Sequence, residues 1–181
     1  MWNVITIDGY FEGKKNWDLS FHELVWGKEL EEFSLNQLKS ADMLVFGATT
    51  YEGMADYWTK VQEDKAEEKI AKLMNEIKKV VCSTTLISAD WNNTIIAKDA
   101  VAEISKLKQQ GNKDMFVFGS GILSESLMKA KLFDEYRLCI APVFLGKGRL
   151  LFNDGIPHEK LKLLEARPLS NGGVILRYAP Q

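Results

Sequence analysis

The sequence predicts an α/β fold: a mostly parallel, twisted sheet with helices on both faces and an antiparallel hairpin at the C-terminal end. Short apolar runs alternate with amphipathic helical patterns between residues 24 and 130, an order typical of strand–helix–strand units. After residue 133 the strand patterns follow one another without helices. Two of them flank Ser170-Asn171-Gly172-Gly173, and this sequence indicates a tight hairpin.

Apolar runs and helical periodicity predict the individual elements. Residues 43–46 and 115–118 are continuously apolar, which is typical of strands buried on both faces. The other predicted strands are residues 2–7, 79–83, 94–97, 136–143, 161–169 and 174–178, and residues 10–18 are predicted to be a loop. The predicted helices are residues 24–38, with a start near Gly27; a short helix around Thr50; a helix with Ala66, Ile70, Leu73, Met74 and Ile77 on one face; residues 101–110; and residues 122–130.

Length and charge limit the kind of protein. With 181 residues and a formal net charge of −2, the chain fits a single domain, residues 1–181, without strong attraction to nucleic acid or an anionic membrane. No apolar run is long enough to span a membrane, and no basic segment precedes the apolar N-terminus, so no signal peptide is expected. Cys82 and Cys139 lie in apolar runs typical of buried free thiols, and metal-ligand spacing is absent. We therefore expect a cytoplasmic protein without a bound metal.

Two copies of one strand–turn–helix pattern indicate a ligand site. Phe46-Gly47-Ala48-Thr49 and Phe118-Gly119-Ser120-Gly121 each follow an apolar strand and precede a helical pattern. Backbone N–H groups point outward at such a turn and the helix dipole adds partial positive charge, so a phosphate fits there. One such turn alone favours a simple packing role, whereas the pair favours one dinucleotide held at both turns. Thr50 is expected to cap the first of the two helices, with Glu52 as an early acid.

Three carboxylates near the N-terminus are candidates for contact with a substrate: Asp8, Asp18 and Glu23. Each also has a structural interpretation, because Asp8 precedes a glycine as in many turns, Asp18 suits a helix cap, and Glu23 suits a solvated first turn. His22 and His158 are expected at the surface. No combination of residues typical of nucleophilic catalysis is apparent, which is compatible with chemistry carried by a cofactor.

Four motifs occur in order along the chain: Ile7-Asp8-Gly9-Tyr10 with Trp17-Asp18; Phe46-Gly47-x-x-Thr50-Tyr51-Glu52; Phe118-Gly119-Ser120-Gly121; and Ala141-Pro142-Val143-x-Leu145-Gly146-x-Gly148-x-x-Leu151-Phe152. Together they resemble the dihydrofolate reductase-like superfamily. The closest likeness is to the branch that contains the reductase domain of riboflavin biosynthesis and its stand-alone bacterial relatives, and it covers nearly the whole chain.

This resemblance implies an eight-stranded sheet that binds NADPH across the carboxyl ends of its strands. It also implies hydride transfer to a pteridine or a pyrimidine-like ring, a carboxylate near the substrate, and a homodimer. The cofactor-binding residues that it implies are Gly47, Ala48, Thr49 and Thr50 at the phosphates; Ser83 and Thr84 near the adenosine; Gly119, Ser120, Gly121, Ile122 and Leu123 at the pyrophosphate; and Val4 and Ile5 near the nicotinamide.

Two positions depart from the pattern of the superfamily. Many relatives have an Arg where this chain has Ala48, and the loop at residues 83–85 lacks the basic residue that is often found there. Because charge-assisted contacts to phosphate are the strong ones, NADPH is expected but NADH stays an alternative. A non-catalytic dinucleotide-binding relative of the same fold is the second interpretation, and an unrelated doubly wound domain that binds a mononucleotide or phosphate is the third.

Overall fold

The computed structural model describes residues 1–61, 67–111 and 114–181. Its strands are β1 (Trp2–Thr6), β2 (Tyr10–Glu12), β3 (Ala41–Gly47), β4 (Lys78–Cys82), β5 (Thr94–Ala97), β6 (Asp114–Val117), β7 (Tyr136–Ala141), β8 (Arg149–Leu150), β9 (Leu161–Pro168) and β10 (Val174–Pro180). Its helices are a 3-10 helix (Ser20–Leu24), α1 (Lys28–Ser40), α2 (Ala48–Trp58), α3 (Glu68–Glu76), α4 (Ala100–Gln110) and α5 (Gly121–Lys129).

The chain forms two compact units. The first unit contains Met1–Glu31 and Ser124–Gln181, and the second contains Glu32–Leu123. The single domain predicted over residues 1–181 stays a prediction. No helix in the described parts of the chain is both long enough and apolar enough to cross a membrane.

The second unit contains a parallel four-stranded sheet in the order β5-β4-β3-β6. Successive residues on a strand point to opposite faces, and Leu44, Val45 and Phe46 of β3 are all fully buried. Both faces of β3 are therefore covered, as the apolar run predicts. One face packs into an aromatic core in which the rings of Phe46 and Trp91 lie 5.8 Å apart.

A buried lysine holds the start of β4. Lys79 is 1% exposed, and its Nζ donates hydrogen bonds to the carbonyl oxygens of Asn75, Ile77 and Asn92 at 2.7–3.0 Å. The ring of Trp91 lies 4.6 Å from the same Nζ. Burial lowers the pKa of Lys79 to about 8. Three carbonyls and a ring face therefore replace the water that a buried ammonium loses.

The first unit contains a mixed four-stranded sheet in the order β1-β7-β10-β9. Strand β1 pairs with β7 in parallel, and β10 pairs antiparallel with both β7 and β9. The hairpin turn between β9 and β10 is held by Glu29, whose carboxylate accepts hydrogen bonds from the amide and hydroxyl of Ser170 at 2.8 and 2.5 Å. The C-terminal hairpin predicted from the sequence is thereby confirmed.

A second, two-stranded sheet pairs β2 with β8 in the first unit. The buried Glu12 accepts a hydrogen bond from the amide of Trp17 at 2.5 Å and forms an ion pair with Arg149 at 3.1 Å. These contacts explain why part of the predicted loop at residues 10–18 forms a strand. The loop prediction is therefore wrong for residues 10–12.

The other elements lie close to their predicted positions. Strand β5 has the predicted bounds, and α1 begins one residue after Gly27. The eight strands implied by the resemblance are present as two four-stranded sheets, one in each unit. Cys82 and Cys139 are free thiols, as predicted. Ala66 of the predicted α3 face lies outside the described residues.

His22 has an environment that the sequence does not predict. It lies in the 3-10 helix, where its ring contacts the buried Phe21 edge to face at 4.9 Å. Its Nε2 is buried and has no hydrogen-bond partner among the described residues. Burial lowers the pKa of His22 to about 4 from its usual 6.5. The surface position predicted for His22 is therefore wrong, whereas His158 is exposed as predicted.

The pKa of His22 makes the stability of the fold sensitive to acid. The pKa is lower in the folded state, so the unfolded chain binds more protons between about pH 6.5 and pH 4. The stabilisation is complete above pH 6.5 and is lost as the pH falls towards 4. Through His22 alone, we expect the free energy of unfolding to fall by about 2 kcal/mol between about pH 6.5 and pH 4.5.

Urea denaturation at the two pH values measures this change. A His22→Gln variant should lose about 2 kcal/mol less than the wild type over the same interval, because glutamine does not titrate. His158→Gln is the matched control, and it should keep the full pH dependence because His158 is exposed. Equal losses in the wild type and in His22→Gln would show that burial of His22 does not govern acid stability.

Candidate functional site

The order of the strands creates a topological switch point at the carboxyl edge of the second unit's sheet, between β3 and β6, and the space between the two loops there is called the crevice. The chain passes from β3 to β4 and β5 on one side, and then returns to place β6 on the other side of β3. The loops after β3 and β6 therefore leave the sheet in different directions. In open α/β sheets, ligands bind at such a switch point, outside the carboxyl ends of the strands. The two glycine turns found in the sequence border this crevice.

Ser120 joins the two turns through hydrogen bonds. Its Oγ accepts a hydrogen bond from the amide of Gly47 at 2.9 Å and donates one to the carbonyl oxygen of Phe118, also at 2.9 Å. Its own amide donates to Oγ1 of Thr50 at 3.1 Å. The structure thus brings Ser120 to Gly47 and Thr50, which precede it in the chain by 73 and 70 residues.

The turn after β6 has an unusual backbone conformation. Gly119 and Ser120 have φ angles of 53° and 59°, and both lie in the left-handed region. That region costs a residue with a Cβ atom roughly 1–2 kcal/mol, so Ser120 is strained and its hydrogen bonds hold it in place. A Cβ atom on Gly119 would lie 3.3 Å from Cγ2 of Thr50. Both the φ angle and the space therefore favour glycine at this position.

Helix α2 begins at the crevice without a side-chain cap. Gly47 is its N-cap residue, and no acid lies in the first turn. The amides of Ala48 and Thr49 have no hydrogen-bond acceptor in the part of the chain that the structure describes. Unpaired amides at the positive end of a helix are the usual setting for an anion.

The helix cap predicted from the sequence is wrong. Thr50 is the third residue of α2, and its hydroxyl accepts a hydrogen bond from Ser120 instead of from an amide of α2. Glu52 lies beyond the first turn. The hydroxyl of Thr50 thus joins the two turns instead of capping α2. The first amides of α2 therefore stay available to a ligand.

Helix α5 begins at the second turn. Gly121, Ile122 and Leu123 form its first residues; Leu123 is buried, whereas Ile122 is 87% exposed. A Cβ atom on Gly47 would lie 3.9 Å from the Cβ of Leu123, so the first turn of α5 packs beside the end of β3. An apolar side chain as exposed as Ile122 beside the crevice suits contact with the flat face of a ligand.

The loop after β4 contains the other two predicted residues of this unit. Oγ of Ser83 accepts hydrogen bonds from the amides of Thr85 and Leu86 at 3.3 and 3.0 Å, and Thr84 is exposed. The structure adds Lys98, whose Nζ donates to the carbonyl oxygens of Thr84 and Leu86 at 3.3 and 2.5 Å. Sequence reasoning missed this lysine, although the parallel pairing of β4 with β5 would have placed it beside the loop.

The remaining predicted residues belong to the first unit. Val4 and Ile5 are buried on β1. Asp8 follows β1, and its carboxylate accepts hydrogen bonds from the hydroxyl of Thr6 at 2.5 Å and from the amides of Leu145 and Gly146 at 2.7–3.1 Å. Desolvation raises the pKa of Asp8, but these hydrogen bonds together lower it by more. The pKa of Asp8 is therefore below its usual value.

The carboxylates of Asp18 and Glu23 differ in their hydrogen-bond partners. Asp18 accepts a hydrogen bond from the hydroxyl of Ser20 at 3.1 Å, and its carbonyl oxygen accepts one from the amide of Gly13. Glu23 lies exposed on the 3-10 helix, and its carboxylate has no partner among the described residues. Of the three candidates, Glu23 keeps the carboxylate that is most available to a ligand.

Comparisons with known proteins agree with this fold. The chain is 31% identical over 175 residues to the protein YyaP of Bacillus subtilis, an alignment that covers 97% of this chain and 90% of YyaP. A solved structure of a Shewanella sp. PV-4 protein named for riboflavin biosynthesis superposes with a TM-score of 0.78 at 16% identity, covering 99% of this chain and 97% of that one. Dihydrofolate reductase from Enterococcus faecalis, solved in complex with NADP(H) and RAB-propyl, superposes with a TM-score of 0.66 at 13% identity, covering 99% of this chain and 94% of that one.

These likenesses to solved structures establish a dihydrofolate reductase-like fold, which confirms the fold predicted from the sequence. A sequence model of one family, the RibD C-terminal domain, matches residues 1–175. The chain therefore belongs to the RibD C-terminal domain family.

Proposed function

We propose that this protein is an NADPH-dependent reductase that transfers hydride to a small heterocycle of the pteridine or ribosylaminopyrimidinone type. The observation that carries this proposal is the hydrogen bonding of Ser120, which joins two turns beside the start of α2. The amides of Ala48 and Thr49 there have no acceptor among the residues that the structure describes. Family membership supports a reductase-type fold. The solved dihydrofolate reductase of the same fold was determined with NADP(H).

In this proposal the backbone of the two turns holds the pyrophosphate. The side chains of Thr50 and Ser120 keep the turns in place, while the amides of Ala48 and Thr49 donate to phosphate oxygens. The exposed face of Ile122 contacts the dinucleotide. The full set of proposed cofactor contacts is Val4, Ile5, Gly47, Ala48, Thr49, Thr50, Ser83, Thr84, Gly119, Ser120, Gly121, Ile122 and Leu123. When bound, the cofactor supplies the hydride, and the protein supplies orientation and exclusion of water.

On the substrate side we propose that the three carboxylates have separate roles. Asp8 positions the loop at residues 145–146, because its oxygens are occupied by donors from that loop and from Thr6. Asp18 closes the loop that begins at Gly13. Glu23 is left to hydrogen-bond the substrate ring and to help deliver a proton, because its carboxylate is unpaired among the described residues.

The alternative is a relative that binds a dinucleotide without turnover. It is favoured by the hydrogen bonds of Asp8, which commit one of the candidate acids to a structural role. Oxidation of bound NADPH by dihydrofolate or a ribosylaminopyrimidine separates the two proposals, because only an enzyme consumes the cofactor. We further propose a cytoplasmic location for the protein, as expected from the sequence.

We also propose a homodimer formed through β9. This strand lies at the edge of its sheet and carries three leucines that are 40–52% exposed: Leu161, Leu163 and Leu164. An edge strand has unpaired backbone groups, and exposed apolar residues on it favour association with another chain.

Substitutions of Ala48 test the phosphate site by charge alone. We expect Ala48→Arg to tighten NADPH binding by about tenfold, and Ala48→Glu to weaken it by about tenfold or more, because the side chain starts at the phosphate-binding end of α2. An acid in the first turn of a helix stabilises it slightly, so Ala48→Glu should not lower the melting temperature. Fluorescence titration with NADPH and NADH measures the affinities.

Ala48→Gln is the neutral control, with a side chain of the same length as glutamate. It should change the affinity for NADPH less than either charged variant does. If all three variants weaken binding equally, the start of α2 is not a phosphate site. If the wild-type protein binds neither NADPH nor NADH, the reductase proposal itself is wrong.

Substitution of Glu23 tests the substrate side. Glu23→Gln should lower the rate of NADPH oxidation by about tenfold or more, while the dissociation constant of NADPH stays the same, because only proton delivery is removed. Steady-state kinetics and the binding titration measure the two effects. Asp8→Asn is the structural comparison, and it should lower the melting temperature because an amide group faces the amide donors of residues 145–146. Wild-type turnover in Glu23→Gln would contradict the proposed role.

Sedimentation tests the proposed dimer. The wild-type protein should sediment at twice the chain mass of 20.5 kDa, and Leu163→Lys should sediment as a monomer because a charge on the apolar edge opposes burial. Ile87→Lys replaces an apolar residue that is 96% exposed in the second unit, so this control should stay dimeric. A wild-type monomer, or equal effects of the two substitutions, would refute an interface at β9.

A further inference from the structure

His22 has a buried polar atom that the folded chain does not use. Its ring meets the buried ring of Phe21 edge to face at 4.9 Å, and its Nε2 has no hydrogen-bond partner among the described residues. A buried polar atom without a partner lowers the stability of a folded protein, so native proteins contain few of them. The imidazole of His22 therefore calls for a partner that does not come from the described parts of the chain.

The segment that carries His22 is held at the carboxyl end of β7. The 3-10 helix packs against that strand, and the fully buried Val25 follows the helix directly. A Cβ atom on Gly173 would lie 2.8 Å from Cγ1 of Val25. Because β10 pairs with β7 up to Val174, Gly173 lies beside Ala141, the last residue of β7. The end of the 3-10 helix therefore lies at the level where β7 ends.

The end of β1 lies at the same edge of the first unit's sheet. Strand β1 runs parallel to β7, and its last residue, Thr6, pairs with Ala141. The chain then continues to Asp8, whose carboxylate holds the amides of Leu145 and Gly146 beyond β7. Ligands of α/β proteins bind outside the carboxyl ends of parallel strands. The unpaired nitrogen thus belongs to a segment at the edge where a ligand is expected.

The chemistry of His22 suits an uncharged heterocycle. Burial lowers the pKa of His22 to about 4, so the imidazole is neutral at about pH 7. A neutral imidazole has one N–H donor and one acceptor nitrogen, and pteridine and pyrimidinone rings have N–H and carbonyl groups at their edges. His22 as a whole keeps some solvent exposure, so a small molecule can approach it.

We propose that His22 is a substrate-binding residue whose Nε2 forms a hydrogen bond with the edge of the substrate's heterocyclic ring. This inference deepens the proposed function and rests on it, since the class of substrate is taken from there. The role differs from that of Glu23, whose exposed carboxylate is proposed to deliver a proton. It explains why the chain keeps a polar ring at a position where an apolar ring would stabilise the fold more.

The ring nitrogens of His22 report this contact directly. The chain has two histidines, so protein labelled with ¹⁵N-histidine gives imidazole signals from His22 and His158 alone. The probes are 5,6-diaminouracil and pterin, each titrated with and without saturating NADP⁺, so that no hydride is transferred. The Nε2 signal of His22 should shift as at least one probe saturates, because a hydrogen bond changes the shielding of the nitrogen. The signals of the exposed His158 should stay in place.

Substitutions of His22 separate binding from stability. His22→Phe keeps an aromatic ring but removes both nitrogens, and it should weaken binding of the probe by about tenfold. Its melting temperature should not fall, because a buried polar atom without a partner is lost. The affinity for NADP⁺ should change less than about twofold. His22→Gln keeps a polar group and should bind the probe more tightly than His22→Phe does, and His158→Phe is the matched control that should leave probe binding unchanged.

Other results would overturn the proposal. Probe binding that leaves the His22 nitrogens unshifted would mean that the ring does not contact the heterocycle. Equal affinities of the wild type and His22→Phe for the probe would mean the same, as would binding of neither probe. A lower melting temperature in His22→Phe, with equal weakening of probe and NADP⁺ binding, would mean that His22 only supports the fold.

The result for the cofactor separates this inference from the proposed function. If the protein binds neither NADPH nor NADH, the proposed function fails, whereas a probe that shifts Nε2 of His22 in the absence of cofactor still supports the role of His22. If NADPH binds and is oxidised by a substrate but neither probe shifts the His22 nitrogens, the proposed function stands and the inference about His22 is wrong.

Discussion

The hydrogen bond from the amide of Gly47 to the hydroxyl of Ser120 is the contact on which the candidate site depends. It joins the ends of two parallel strands that are adjacent in the sheet but distant in the chain. Ser120 keeps a left-handed backbone to make this contact, and Thr50 secures it with a second hydrogen bond. The pairing of β3 with β6 holds the strand ends side by side, and these bonds fix the turns that follow them against each other. A preorganised site costs less to occupy than a flexible one.

The hydroxyls of Thr50 and Ser120 are both engaged in hydrogen bonds within the site. An anion would therefore be bound by backbone amides and by charges further away. The start of α2 offers amides and a helix dipole, and its first residue, Ala48, carries no charge. In the proposed function these amides hold the pyrophosphate that NADPH and NADH share, so they would not distinguish the two cofactors. Lys98, two strands further along the same edge, is held by the carbonyl oxygens of Thr84 and Leu86.

Local pattern in the sequence predicts most of the elements, because strands buried on both faces and amphipathic helices leave clear periodicities. The hydrophobic runs around Val45 and Val117 are examples. Contacts between distant residues leave no such signal. The partner of Thr50 and the environment of His22 depend on which loops the fold brings together. The helix cap predicted for Thr50 and the surface position predicted for His22 were therefore wrong. The order of the strands was equally necessary to locate Lys98 beside Thr84.

Amide chemical shifts of the labelled protein during titration with NADPH test the central claim most directly. If the joined turns hold the pyrophosphate, the largest shifts should occur at the amides of Ala48 and Thr49, which have no acceptor among the described residues. The amide of Gly47 should move less because Oγ of Ser120 already accepts its hydrogen bond. Saturable binding that shifts other amides and leaves those of Ala48 and Thr49 unchanged would contradict the account.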